Sequence, residues 1–146
     1  MRHPLHPAFV HFPVACWSLA VAADFTGLWV GETAWGWSGG LLAVGCATAV
    51  LAMLAGMAEL SRVPEGGPMM DAWTHMGAML TAFTFFAARL ILRLDHLQPL
   101  APDTMSLMLD AGGFIALAVG GWFGGRLVYG HGVGRVLGEQ RLEGIG

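Results

Sequence analysis

The chain has 146 residues, of which 55% are hydrophobic and only 12% charged, about half the charged share of an average soluble domain. That balance excludes disorder, collagen, coiled coil and an ordinary water-soluble domain. The net charge of −3, with every basic residue an arginine, argues against a nucleic-acid partner, which would want a basic face. What remains is a single-domain membrane protein.

Four apolar runs follow in chain order. The first covers 8–30 with Asp24 as its only charge, and the second covers 37–58 with none. The third covers 72–92 and holds Arg89; the fourth covers 104–129 and holds Asp110 and Arg126. Each reaches the roughly 20 residues that a helix needs to cross a ~30 Å hydrocarbon core. In lipid the backbone must satisfy its own hydrogen bonds, so helices are expected. Ala20-Val21-Ala22 looks like a signal-peptide cleavage site, but the run is long and is expected to stay as a helix.

Gly31-Glu32-Thr33, Pro64 through Pro68 and Pro99 through Asp103 separate the runs. Asp103 or Thr104 is the expected N-cap of the last helix. Connections this short make neighbours antiparallel. The expected fold is all-α: an up-down-up-down bundle of four transmembrane helices over 1–134, with a short polar tail at 135–146. No internal repeat is evident. Both termini and the 61–71 loop share one side, which holds Arg2, Arg62, Arg126, Arg135 and Arg141 against Arg89 and Arg93 on the other. The positive-inside rule then places both termini in the cytoplasm.

Five of the six histidines fall at that same end: His3, His6, His11, His75 and His131, with only His96 opposite. Ionisable residues in a bilayer protein are functional candidates because burying them is costly. His11 and His75 each lie about one turn inside the membrane, and His6 and His131 lie nearer the interface. Two imidazoles at equal depth on different helices suit a bis-histidine haem. The expected axial pair is therefore His11 and His75, with His6 and His131 as a second pair or as supporting donors. Pro13 frees the carbonyl of Phe9, and a kink there would aim His11 inward. Arg62, Arg126 and Arg135 are on the correct side for haem propionates.

Small residues line several helix faces: Gly113, Gly120 and Gly124 leading to His131, Gly45, Ala49, Ala52 and Gly56 leading to Glu59, and Ala15, Ser18 and Ala22 through His11. Such stripes are usually packing seams, or they leave room for something flat. Asp24 and Arg89 read as a structural ion pair rather than a proton path. Cys16 and Cys46 read as small apolar residues, and the methionines as packing.

The ends of the chain carry specific motifs. His3-Pro4-Leu5-His6-Pro7-Ala8-Phe9-Val10-His11-Phe12-Pro13 and Gly121 through Gly134 resemble a bacterial family of small four-helix membrane proteins of unknown function (domain two-two-three-one), and His75 stands where that family has one. The resemblance covers nearly the whole chain and implies a bacterial inner-membrane location. Relatives fused to iron–sulfur or c-type cytochrome modules imply electron transfer, an association rather than a mechanism. Gly130 stands where such proteins more often carry a charged residue, so position 130 is not expected to hold a propionate.

The leading expectation is a b-type cytochrome. It would pass electrons between a quinone or redox subunit and a partner, as a carrier or redox subunit rather than an enzyme. One alternative is a haem-free site in which some of His6, His11, His75, His131 and Glu59 hold Zn, Cu or Fe. Another is a structural subunit whose glycine-rich faces dock in a homo-oligomer or a larger membrane complex.

Overall fold

The structure, a computed structural model, describes residues 5–94 and 101–134. His3, His96, Arg2, Arg135, Arg141 and the tail at 135–146 lie outside those residues. Four long helices occur in the expected order: α1 (Leu5–Val30), α2 (Glu32–Leu60), α3 (Gly67–Leu94) and α4 (Thr104–Gly125). One π-helical turn, Arg126–Gly130, continues α4. All four helices are long and apolar enough to span a membrane, and the described residues contain no strand. The chain is an all-α, four-helix membrane protein.

Helices α1, α2 and α3 each start several residues before their apolar runs. A helix is limited by its breakers and caps, and these lie farther out than the change in hydropathy. Between α1 and α2 only Gly31 is non-helical, at φ 86° and ψ −148°, a conformation open essentially to glycine alone. Its N–H donates to the carbonyl of Gly27 at 2.8 Å, and its own carbonyl accepts from Ala34 at 3.2 Å. Glu32 then sits in the first turn of α2, where the helix dipole favours an acid. At the start of α4 the cap is Asp103, whose carboxylate accepts the Ser106 N–H at 2.8 Å. Hydrogen bonds from the Ser106 hydroxyl and N–H hold the Asp103 carboxyl below its ordinary pKa.

Each helix buries a stripe spaced alternately by three and four residues, the pattern that keeps one seam facing its neighbours. On α1 this is Pro13, Trp17, Ala20 and Asp24; on α2 it is Ser38, Leu42, Gly45, Ala49 and Ala52. On α3 it includes Ala82, Phe86 and Arg89; on α4 it is Ser106, Asp110, Gly113, Leu117 and Gly120. Leu19, Leu54, Leu80 and Ile115 point outward and are exposed, as a lipid-facing surface requires. The interior stacks in three layers: histidines near one end, aromatic rings in the middle, and charges toward the other end.

The middle layer explains the glycines. Trp17 stacks on Phe86 with ring centroids 4.8 Å apart at 20°, an arrangement worth about 0.5–1.5 kcal/mol beyond its buried area. A Cβ on Gly45 would stand 2.6 Å from the Trp17 indole, and one on Gly113 would stand 2.9 Å from Phe86. The flat objects for which the stripes leave room are the protein's own rings.

That observation corrects the expectation of no internal repeat. His6, Trp17 and Asp24 on α1 recur 69 residues later as His75, Phe86 and Arg93 on α3. Ser38, Gly45, Ala52 and Gly56 on α2 recur 68 residues later as Ser106, Gly113, Gly120 and Gly124 on α4. The roles recur with the positions: each ring packs on the glycine of its own hairpin. The repeat is invisible to composition because equivalent residues share a size or a contact rather than an identity.

Candidate functional site

The histidine layer is built from both hairpins. The His6 Nδ1–H on α1 donates to the carbonyl of Ala52 on α2 at 2.7 Å. The His75 Nδ1–H on α3 donates to the carbonyl of Gly120 on α4 at 2.8 Å. Both carbonyls are helical, and both rings lie over a glycine one turn further along. A Cβ on Gly56 would stand 3.0 Å from His6 Nδ1, and one on Gly124 would stand 3.0 Å from His75 Cε1. The backbone of His6 also donates to Glu59 Oε1 at 3.3 Å. Across the hairpins the two imidazoles meet edge to face, with centroids 6.0 Å apart and planes at 85°.

With Nδ1 protonated and anchored on a carbonyl, the lone pair of each ring sits on Nε2. This is the tautomer of a metal-ligating histidine, whose other ring nitrogen donates to a carbonyl or carboxylate. In that tautomer each hairpin contributes one Nε2 lone pair. Among the described residues no group of three His, Cys, Asp or Glu side chains gathers to hold a bare metal ion.

His11, expected opposite His75, is exposed on the outside of the helix. The reason is angular. Pro13 belongs to the buried stripe, and two residues of helix turn the chain by about 200°, so His11 faces away from the bundle. Pro13 stays inside an unbroken helix and does not turn His11 inward. His6, seven residues before Pro13, shares the buried face and takes the position beside His75.

His131 has a different partner. Its Nε2–H donates to Asp71 Oδ2 at 2.8 Å, and Arg126 Nε approaches the same oxygen at 3.2 Å. The π-turn makes this possible. It closes with the His131 N–H on the carbonyl of Arg126 at 3.0 Å, which inserts an extra residue into the helical register as the chain leaves α4 beside α3. The Arg126 guanidinium also lies 5.4 Å from the centre of the Phe123 ring. Arg62 is exposed just past the end of α2.

At the other end a charged layer joins all four helices. Arg89 Nη2 on α3 donates to Asp24 Oδ2 on α1 at 2.8 Å, so the ion pair expected from sequence is present. Arg89 Nε faces Asp110 Oδ2 on α4 at 3.5 Å. Arg93 Nη1 reaches Asp24 Oδ1 at 3.3 Å and Ser38 Oγ on α2 at 2.8 Å, and its Nη2 donates to the Trp35 carbonyl. Sequence reasoning missed Asp71, Arg93 and Ser38. The available signal was depth: Asp71 is level with His131, and Arg93 is one turn beyond Arg89.

Comparison with known proteins agrees with this architecture. The family described as "Predicted membrane protein (DUF2231)" matches residues 2–136. No curated protein and no solved structure matched the chain. Because the match spans nearly the whole length, including the histidine layer and the Asp71–His131 contact, the chain belongs to the DUF2231 family of membrane proteins.

Proposed function

We propose that this protein is an electron carrier of the bacterial inner membrane that holds a b-type haem between its two hairpins, with His6 and His75 as the axial pair. The observation that carries this reading is the pair of imidazoles, each anchored through Nδ1 on a backbone carbonyl of its own hairpin. The two rings now touch edge to face, with centroids 6.0 Å apart, so holding a haem would require both to turn Nε2 onto one axis and the hairpins to part. A two-donor site suits haem better than bare Zn, Cu or Fe, because a porphyrin supplies the other four ligands, whereas a bare ion needs three or four from the protein.

When bound, the haem iron supplies one-electron chemistry. The residues here set its surroundings. The carbonyls of Ala52 and Gly120 fix the tautomer of each ring and raise its basicity, and Gly56 and Gly124 leave the rings space to lie flat. Arg62 stays in solvent at the same end as a partner for propionates. Arg126 is already engaged by Asp71. The arginine asymmetry favours the cytoplasmic side for this end, within reach of a quinone or a soluble redox subunit. Gly121 and Gly125 face outward with open space around them and offer a close-packing face to a second copy.

The test is a reduced-minus-oxidised absorption spectrum of protein purified after expression with haem supplied. A low-spin b-type spectrum that is lost in both His6→Ala and His75→Ala and kept in His11→Ala is the expected result. Absence of Soret absorption, or a spectrum that survives His75→Ala, overturns the reading.

A further inference from the structure

The charged layer contains an imbalance that an ion-pair clasp does not need. Asp24 is served by two guanidinium groups, Arg89 and Arg93. Asp110 is completely buried, yet neither of its carboxyl oxygens has a hydrogen-bond partner, and neither does the Arg89 Nε that faces it. Arg89 Nε and Asp110 Oδ2 face each other at 3.5 Å and pair on a small shift, which leaves Asp110 Oδ1 as the buried oxygen without a partner, where about nine buried polar atoms in ten have one. Asp24 and Asp110 both lie on the Arg89 guanidinium, at 2.8 Å from Nη2 and 3.5 Å from Nε. Two ionised carboxylates gathered on one guanidinium repel, and neither has a hydrogen to share.

We propose that Asp24 and Asp110 hold one proton between them, forming a proton-binding site inside the bundle. An O–H on Asp110 donating to Asp24 satisfies the orphaned carboxyl and turns the repulsion into a hydrogen bond. A metal cation does not suit the place, because two arginines already occupy it.

Among the described residues the groups that face the site are few. They are Asp24 from α1, Arg89 and Arg93 from α3 and Asp110 from α4, while α2 contributes the uncharged Ser38 hydroxyl and Trp35 carbonyl. With the proton aboard these four charged side chains sum to one positive charge, and without it to none. The internal repeat bears on purpose. The residue equivalent to Asp110 in the first hairpin is Leu42, and the one equivalent to Arg89 is Ala20. The fold thus fills the same two positions with apolar side chains elsewhere, and the second hairpin carries an acid and a base that packing does not require.

Infrared spectroscopy of the full chain in lipid nanodiscs tests the proposal. The expected result is a carbonyl stretch from one protonated carboxyl at neutral pH. It shifts in D2O, disappears in Asp110→Asn and in Asp24→Asn, and persists in Glu32→Gln. Should Asp110→Asn fail to fold, the wild-type band and Asp24→Asn carry the test. No protonated-carboxyl band in the wild type, or a band that survives both variants, overturns it.

Discussion

The two polar layers sit in the same apolar bundle and solve the same problem in opposite ways. At the histidine end each polar N–H is satisfied inside its own hairpin, His6 on Ala52 and His75 on Gly120. At the charged end the bonds run between hairpins, from Arg89 to Asp24 and from Arg93 to Asp24 and Ser38. One end is a clasp; the other is two half-sites that face each other without a mutual hydrogen bond. Polar groups in a membrane protein need partners, but the choice of partner decides whether an interface is locked or left able to admit something.

The sharpest way to break this contrast is to open the clasp. Arg89→Ala leaves Asp24 and Asp110 buried without their shared cation, and breaking a buried pair costs about 3–5 kcal/mol. Thermal unfolding in detergent should show the largest loss of any single change named here. In the aromatic layer between the two ends, Gly45→Val or Gly113→Val drives a side chain into Trp17 or Phe86. Overpacking costs about 1–3 kcal/mol, and the near-ultraviolet circular dichroism of the stacked rings should change with it.

At the histidine end, His75→Ala removes one hydrogen bond of about 0.5–1.5 kcal/mol. It should lower the unfolding temperature by only a few degrees, far less than Arg89→Ala, while abolishing any haem spectrum. His11→Ala, on the outside of the bundle, should change stability by less than about 0.5 kcal/mol. If His75→Ala destabilised as much as Arg89→Ala, the distinction between clasp and half-sites would fail.

The smallest effect belongs to the α4 cap. The Asp103 carboxyl is held below its ordinary pKa, so its contribution is fully present above the unfolded value. It is lost as pH falls through the lower folded value. Acid titration of helicity should therefore show a small loss below the usual carboxylate range that is absent in Asp103→Ala.

The four spans, their order and the Asp103 cap were legible in the sequence, because hydropathy over twenty residues and a capping residue are local signals. The inward faces of α2 and α4 were legible too: Gly45, Ala52, Gly113 and Gly120 all lie on the stripes that spacing picked out. The face of α1 was not. His11 drew attention as the histidine at the depth of His75, while the buried stripe runs through His6, Pro13, Trp17 and Asp24. A long residue such as Trp17 announces burial less clearly than a row of small ones. The repeat escaped notice for a related reason, since Trp17 and Phe86, or Asp24 and Arg93, are equivalent by position and contact rather than by identity. The partners of His131 depended on a π-turn that no residue type in Arg126–Gly130 signals.

The clasp also has a consequence for how the chain is made. Asp24 emerges from the ribosome 65 residues before Arg89, roughly 3–13 s earlier at 5–20 residues per second. For that interval α1 carries an acid with no cation to meet it, at an insertion cost below the roughly 2.5–3.5 kcal/mol of an acid at a helix centre, since Asp24 lies toward the end of α1. The first hairpin therefore has reason to wait at the insertion machinery until α3 arrives. A nascent chain halted after α2 should be easier to extract from the membrane than its α1–α2 hydropathy suggests.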